Sequence, residues 1–305
     1  VKTVDVNLFR DAVAFTMTLR KWGNRRSGDM AKVEMDASKS RFKLSKQLVE
    51  SPELDAINQH QGEVYKWCLE RSVPSFFKDG LYLVRLSEVE NFEAKLKEET
   101  AKMQALIKDF CDAYPKRKDE ARAALNGQYR EDDYPTVEDM PGRFSITWNW
   151  IAFGVPENLP AELRASEAAK IEQQFKDAET EIMSALREGF GKIVKHVTDR
   201  LGEETKDGEK KPKIFRDTLF EDMTTFVTTF SARNLVNDTE LEKCVKAAQS
   251  ILANVSGGDA KSKAQVIRDS SQLRAQTAEA FTLLKSAVDK TIADKPQRKF
   301  NFDDE

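Results

Sequence analysis

The chain has 305 residues, 33% charged and 40% hydrophobic, and its 49 basic and 52 acidic side chains leave a net charge of −3. That balance excludes a global field able to gather a nucleic-acid backbone or an anionic membrane, and leaves only local patches for such work. Nine prolines and thirteen glycines favour long helices over many turns, and Cys68, Cys111 and Cys244 lie too far apart for a CxxC zinc or redox site.

The N-terminus, VKTVDVNLFRD, has no apolar leader core, and no run of about eighteen apolar residues occurs. The expectation is a protein of a reducing, cytoplasmic compartment with no membrane segment. Residues 13–19 alternate, with Val13, Phe15, Met17 and Leu19 on one side, and predict a strand near 13–21. Gly23 and the polar run 24–28 break it. Residues 29–48 read as a weakly amphipathic helix carrying Phe42, Leu44, Leu48 and Val49.

Ser51-Pro52-Glu53 is a helix start: a capping serine, a proline pre-set for the first turn and an acid for the N-terminal dipole. The helix behind it carries Leu54, Ile57, Gln61, Val64 and Cys68 at alternating steps of three and four, and Ser72-Val73-Pro74-Ser75 ends it. Asp79-Gly80 is a turn before a strand over 81–86, and Ser87-Glu88-Val89-Glu90 has the form of a capping box. The seam that follows is the clearest in the chain: Val89, Phe92, Leu96, Glu99, Met103, Leu106 and Phe110. Its helix is expected to reach about Tyr114, where Pro115 intervenes, with a separate short helix over 116–124.

Turn formers fill 126–142, and Phe144, Ile146, Trp148 and Trp150 then share one face of a strand over 143–151. That face suits either the core or an interface. From Pro160 a helix of some forty residues carries Ala168, Ile171, Phe175, Ala178 and Ile182, continued by Leu186, Phe190, Ile193 and Val197. Residues 202–213 (GEETKDGEKKPK) are almost devoid of apolar side chains and read as a loop or hairpin tip. Three helices follow. The first, over 214–234, presents Phe215, Leu219, Met223, Phe226 and Phe230. The second, over 238–255, has an Asp or Thr cap and ends at Gly257-Gly258. The third, long helix spans 259–293 and places Ser270, Arg274 and Thr277 on the seam that later carries Phe281, Leu284, Val288 and Ile292. Residues 295–305 read as a flexible tail.

These elements predict a mainly α fold: long antiparallel helices packed as a coiled-coil-like bundle, with a small sheet of two or three strands near one end. Residues 1–155 would hold the sheet and 156–294 the long-helix region.

Nothing in the chain has the form of an active site. His60 and His196 lack a second ligand at metal spacing, and neither GxSxG, GxGxxG nor GxxxxGK[ST] occurs. Acidic pairs such as Glu203-Glu204 and Asp132-Asp133 read as solvated faces. No catalytic, cofactor or metal residue is expected. Arg20, Lys21, Trp22, Arg25 and Arg26 surround a glycine turn and could hold phosphates while Trp22 stacks on a base. The competing reading buries Trp22 in the core and leaves the cations solvated. Phe300, Phe302, Asp303, Asp304 and Glu305 form an acidic, aromatic end of the kind that docks into a partner's groove, or that does nothing.

Three segments, LRKWGNRR (19–26), SKQLVESPELDAI (45–57) and DGLYLVRLSEVENFEAKL (79–96), resemble an uncharacterised family of phage and bacterial proteins. Its members are often encoded beside MoxR-type AAA+ ATPases and von Willebrand A-type proteins. The resemblance covers about the first 150 residues and carries no catalytic motif. It implies a phage or prophage origin, a cytoplasmic setting and work beside an AAA+ ATPase.

The functional expectation is a non-enzymatic structural or protein-interaction protein, phage-encoded, whose helical faces serve self-assembly or bind a partner, with Gln61 and Glu99 setting register. The alternatives are a nucleic-acid-binding protein using the 20–26 cluster and a pore-forming helical protein. The last is disfavoured because no hydrophobic insertion hairpin is present.

Overall fold

The computed structural model describes residues 10–34, 36, 38–152, 158, 160–206 and 209–293. The tail residues Phe300, Phe302, Asp303, Asp304 and Glu305 fall outside this set. The protein is mainly α. Among the described residues the helices are α1 (Pro52–Glu70), α2 (Val89–Leu125), α3 (Ala161–Leu201), α4 (Glu221–Arg233), α5 (Thr239–Ala253), α6 (Ala260–Asp269) and α7 (Ser271–Ala293). The strands are β1 (Ala12–Arg20), β2 (Arg25–Ser27), β3 (Ser45–Gln47), β4 (Val73–Pro74), β5 (Tyr82–Arg85), β6 (Ser145–Ile151), β7 (Glu203–Lys206) and β8 (Glu209–Pro212). One sheet runs in the order β4-β5-β1-β6, while β2-β3 and β7-β8 are separate two-stranded ribbons. The sheet therefore has a fourth strand, the short β4, where the sequence shows only a helix stop. The segment 202–213 holds the β7-β8 ribbon.

The chain forms two compact units. The bundle unit comprises Val1–Ala14, Glu70–Leu86 and Ala152–Glu305, and the ribbon unit comprises Phe15–Leu69 and Ser87–Ile151.

In the bundle unit α3 and α7 run antiparallel. Arg187 Nη1 donates to Thr291 O (2.6 Å), Thr198 Oγ1 to Phe281 O (3.4 Å) and Arg274 Nε to Leu201 O (3.0 Å), so positions rise along α3 as they fall along α7. The α3 face Phe175, Ala178, Ile182, Leu186, Phe190, Val194, Val197 and Leu201 is buried, with Val194 taking the place expected of Ile193. All five expected residues from Phe215 to Phe230 are buried beside it, but the helix expected over 214–234 begins at Glu221: Phe215 precedes it and Leu219 lies in the 3₁₀ turn Asp217–Phe220. The expected single helix over 259–293 is two helices. Ser270 adopts an extended conformation, its Oγ accepts from Leu273 N (3.2 Å), and it caps α7 instead of sitting on a seam. The break lets Arg274 grip the C-terminal end of α3: its guanidinium donates to the carbonyls of Arg200, Leu201, Gly202 and Lys213. A cation there meets the negative end of the helix and satisfies carbonyls without intrahelical partners.

In the ribbon unit α1 and α2 are also antiparallel: Arg117 meets Glu53, His60 meets Glu99, and Trp67 packs on Phe92. The expected α1 seam, Leu54, Ile57, Gln61, Val64 and Cys68, is the buried face. On α2 the buried face is Phe92, Leu96, Glu99, Met103, Ile107, Phe110, Tyr114 and Ala121, so Ile107 replaces the expected Leu106. The Ser87 capping box does not form, because Leu86–Glu88 is a 3₁₀ turn that runs straight into α2. Pro115 does not end α2 either. A proline inside a helix costs about 3 kcal/mol, but its ring is solvent-exposed and both flanks are anchored. Tyr114 is buried with its hydroxyl donating to Pro135 O (3.0 Å), and Arg117 forms a two-pronged pair with Glu53.

The most enclosed ion pair lies in the bundle unit. Arg187 Nε and Nη2 reach the two carboxylate oxygens of Asp238 at 2.6 and 2.9 Å, and both residues are under a tenth exposed. Asp238 also caps α5 by accepting from Leu241 N (3.1 Å). Burial pushes the Asp238 carboxyl up, and Arg187 with the cap bond more than reverses it, leaving it below the ordinary value. Replacing Asp238 by Ala should leave the guanidinium with Thr291 O and the exposed Glu240 carboxylate at 3.3 Å, and cost about 3 kcal/mol. The double change Arg187→Met with Asp238→Ala should cost distinctly less than Asp238→Ala alone, read as urea-denaturation midpoints.

Arg117 and Ser51 together hold the Glu53 carboxyl down to about 2 from 4.5, with Arg117 contributing most. A depressed folded pKa stabilises above the unfolded pKa, and the contribution fades as pH falls from 4.5 towards 2. Arg117→Ala should therefore lower stability slightly at neutral pH. The gap to the parent protein should close near the bottom of that window in the same denaturation assay.

Candidate interaction surface

The segment 29–48, read from sequence as a helix, forms no α-helix among its described residues. Asp29 and Ser38 open short 3₁₀ turns, and the segment is held as a ribbon. Asn24 starts it by accepting from Leu48 N (3.0 Å) on its carbonyl and exchanging two side-chain bonds with Val49 (2.8 and 2.9 Å). β2 and β3 then pair antiparallel, Arg25 opposite Gln47, Arg26 opposite Lys46 and Ser27 opposite Ser45. Gly28 N donates to Leu44 O (2.9 Å), and a Cβ at Gly28 would come within 2.5 Å of Leu44 Cδ2, so a side chain there would push the Leu44 side chain aside.

The ribbon is fastened to the segment that follows α2. The Gln128 side chain accepts from Asp29 N (2.8 Å) and donates to Asp29 O (2.9 Å). Lys46 is buried; its Nζ donates to Gln128 O (2.6 Å) and pairs with Asp133 (2.6 Å). Tyr134 donates to Leu48 O (2.9 Å), and burial first, then nearby anionic groups, push its phenol up to about 12.

Residues 20–47 carry nine cations and three acids. Lys46 is consumed internally. The other eight (Arg20, Lys21, Arg25, Arg26, Lys32, Lys39, Arg41 and Lys43) are exposed, and none has a carboxylate partner among the described residues. Arg26 and Lys32 touch only backbone carbonyls. On α2, by contrast, Lys95, Lys97, Lys102 and Lys108 each meet an acid on the same helix. Residues 20–47 thus hold an excess of cations that the chain as a whole does not.

Trp22 is not part of that surface. It is 6% exposed and packs against Phe110 and Tyr114, with ring centroids 6.1 and 5.8 Å away. The expected contact set therefore divides, with Arg20, Lys21, Arg25 and Arg26 at the surface and Trp22 in the core. The aromatic that does emerge among the cations is Phe42, half exposed between Arg41 and Lys43. The sequence signal was present, a lone Phe flanked by two cations, but reading 29–48 as a helix gave Phe42 to a buried face.

The other candidates are absorbed into the architecture. Phe144 and Ile146 are buried, and the indole N–H groups of Trp148 and Trp150 both donate to Glu93 Oε1 at 2.7 Å, so the aromatic face of β6 packs against α2. Those two bonds, Trp148 first, hold the Glu93 carboxyl below its ordinary value. Gln61 is fully buried and donates to the carbonyls of Arg20 (3.0 Å) and Ser145 (3.4 Å). Glu99 is held by Lys95, Lys102 and His60; burial pushes its carboxyl up, and the two lysines pull it below the ordinary value. His196 lies on a polar hollow of about 480 Å³ with Asp199, Arg200, Glu204 and Lys213. A groove of about 530 Å³ between α2 and the start of β6 is lined by Met103, Ile107, Cys111, Phe144 and Ile146. Burial raises the Cys111 thiol, which keeps it out of its reactive form. Among the described residues no group of three or more His, Cys, Asp or Glu side chains is placed to hold a metal, and no helix is long and apolar enough to cross a membrane.

No protein-family model, curated protein or solved structure matches the chain.

The ribbon depends on Lys46 as its fastening. Lys46→Met should cost about 1–3 kcal/mol, the range for leaving buried polar groups without a partner. Amide exchange at Arg26 and Ser27 should accelerate more than at the buried centre of α2, as read by hydrogen-exchange mass spectrometry.

Proposed function

We propose that this chain is a non-enzymatic interaction protein whose docking surface is the basic ribbon of residues 20–47, and that its partner is a nucleic-acid backbone. The observation that carries the reading is the set of eight exposed cations without carboxylate partners among the described residues, held on a fastened ribbon in a chain of nearly neutral net charge. A polyanion bound there releases counterions from its phosphates and meets no local acid to repel it. The helical seams first expected to serve assembly are covered within their own units, which turns the reading from helix faces to the ribbon. The non-enzymatic part is supported by the carboxylates with lowered pKa named above: Glu53, Glu93, Glu99 and Asp238 each hold two elements together. The resemblance of the first half adds a setting, a phage-encoded protein working beside an AAA+ ATPase in the host cytoplasm.

Fluorescence anisotropy with labelled DNA should show binding that weakens roughly 10²- to 10³-fold between about 50 and 200 mM salt, the drop for about five phosphate contacts. Replacing Arg25, Arg26, Arg41 and Lys43 by Ala should lower the salt slope by about one for each phosphate that is no longer neutralised. Absence of binding at low salt, or undiminished binding by the fourfold variant, would overturn the reading.

A further inference from the structure

We infer that the ribbon takes single-stranded rather than duplex nucleic acid, with an unpaired base stacked on Phe42 and the neighbouring phosphates held by Arg41, Lys43 and Lys39. This rests on the nucleic-acid reading above. Three observations carry it.

The first is the ring itself. Phe42 is 50% exposed and makes no ring contact with another aromatic among the described residues, and Lys39, Ser40, Arg41 and Lys43 around it are all exposed. An aromatic face bordered by cations is the arrangement that binds an unstacked base and its backbone together, because every base has a π-face and every linkage a charge. In a duplex those faces are stacked on one another and only the edges are open.

The second is the backbone beneath the ring. Arg41 N donates to Ser38 O (3.1 Å) and Phe42 N to Lys39 O (3.2 Å), which closes a turn. Two residues later Leu44 O accepts from Gly28 N, and the Leu44 side chain sits directly over that glycine. The ring is therefore presented from a closed turn fastened on its C-terminal side, which limits the ordering cost of binding.

The third argues against a duplex. The segment 20–47 has no α-helix among its described residues to enter a groove, and β2 and β3 have three residues each. Three residues span about 10 Å, a short run for a ribbon that would have to read a major groove lengthwise. Trp22 cannot supply the stacking ring, because it is enclosed by Phe110 and Tyr114.

The test measures the full chain and its Phe42→Ala and Phe42→Trp variants by anisotropy against labelled oligo-dT, oligo-rU and a mixed-sequence duplex, each about 20 units long, at two salt concentrations. The single strands should bind more tightly than the duplex. Phe42→Ala should weaken single-strand binding about 5- to 100-fold, the range for losing one stacked base, with the salt slope unchanged. Phe42→Trp should retain or improve it, and the duplex should respond to neither. The oligo-dT and oligo-rU arms separate a DNA ligand from an RNA ligand. Equal, salt-sensitive binding of both strand forms with no effect of Phe42→Ala would overturn this inference and leave the polyanion reading standing. Failure of every oligonucleotide to bind at low salt would overturn both.

Discussion

A helix with a single apolar seam must cover that seam, and in this chain the seams of α1, α2, α3 and α4 are covered from within their own compact units. Leu54, Ile57, Val64 and Cys68 of α1 are enclosed, as are Phe92, Leu96, Met103 and Phe110 of α2. In the bundle unit the α3 face from Phe175 to Leu201 joins a continuous core with Phe220, Phe281 and Val288. Each large side chain removed from water contributes about 1.5–3 kcal/mol, so a seam already covered has little left to offer a second copy. The seams form the inner wall of the fold, as the expected bundle requires.

The polar residues on those seams follow the same logic. Gln61 interrupts the apolar face of α1 and ties the end of β1 to the start of β6 through two backbone carbonyls. Glu99 interrupts α2 and gathers Lys95, Lys102 and His60. In the bundle unit Arg187 occupies the flank of the α3 face and reaches α5 and α7 at once through Asp238 and Thr291. A buried polar group is tolerated where its partners are fixed, and it then specifies one arrangement of elements over its neighbours. Register is set here, between elements of one unit.

Periodicity made most of this legible. The α1 seam was readable residue by residue, because a strict 3-4 alternation has one burial solution; the residues from Phe215 to Phe230 are less regularly spaced and also buried, with Phe215 and Leu219 ahead of α4. The errors arose where a local signal met a tertiary contact. Pro115 reads as a helix stop, yet Tyr114 and Arg117 anchor both sides of it. Ser270 reads as a polar defect in a long helix, yet its hydroxyl caps a new one. Residues 29–48 have helix-compatible spacing, but their pairing comes from Asn24, Gln128 and Asp133, up to about a hundred positions away. No short window contains those partners. The candidate surface was half visible for the same reason. Its cations are written in the sequence, while the choice between Trp22 and Phe42 as the exposed ring depends on where Phe110 and Tyr114 lie.

Charge is arranged differently on α2 and on the ribbon. Along α2 the lysines are spaced three or four residues from glutamates or aspartates, so the field of each is cancelled within a few ångströms. Between 20 and 47 the acids Asp29, Glu34 and Asp36 are too few to do this, and the Asp29 side chain accepts a backbone N–H of its own turn. Charge left uncancelled on a surface repels itself and adds nothing to folding. Lys46 shows that the same segment supplies a structural cation when one is needed, buried and paired at the base of the ribbon. Of the eight that remain outside, Arg26 and Lys32 donate to backbone carbonyls, and none of the eight has a carboxylate partner among the described residues.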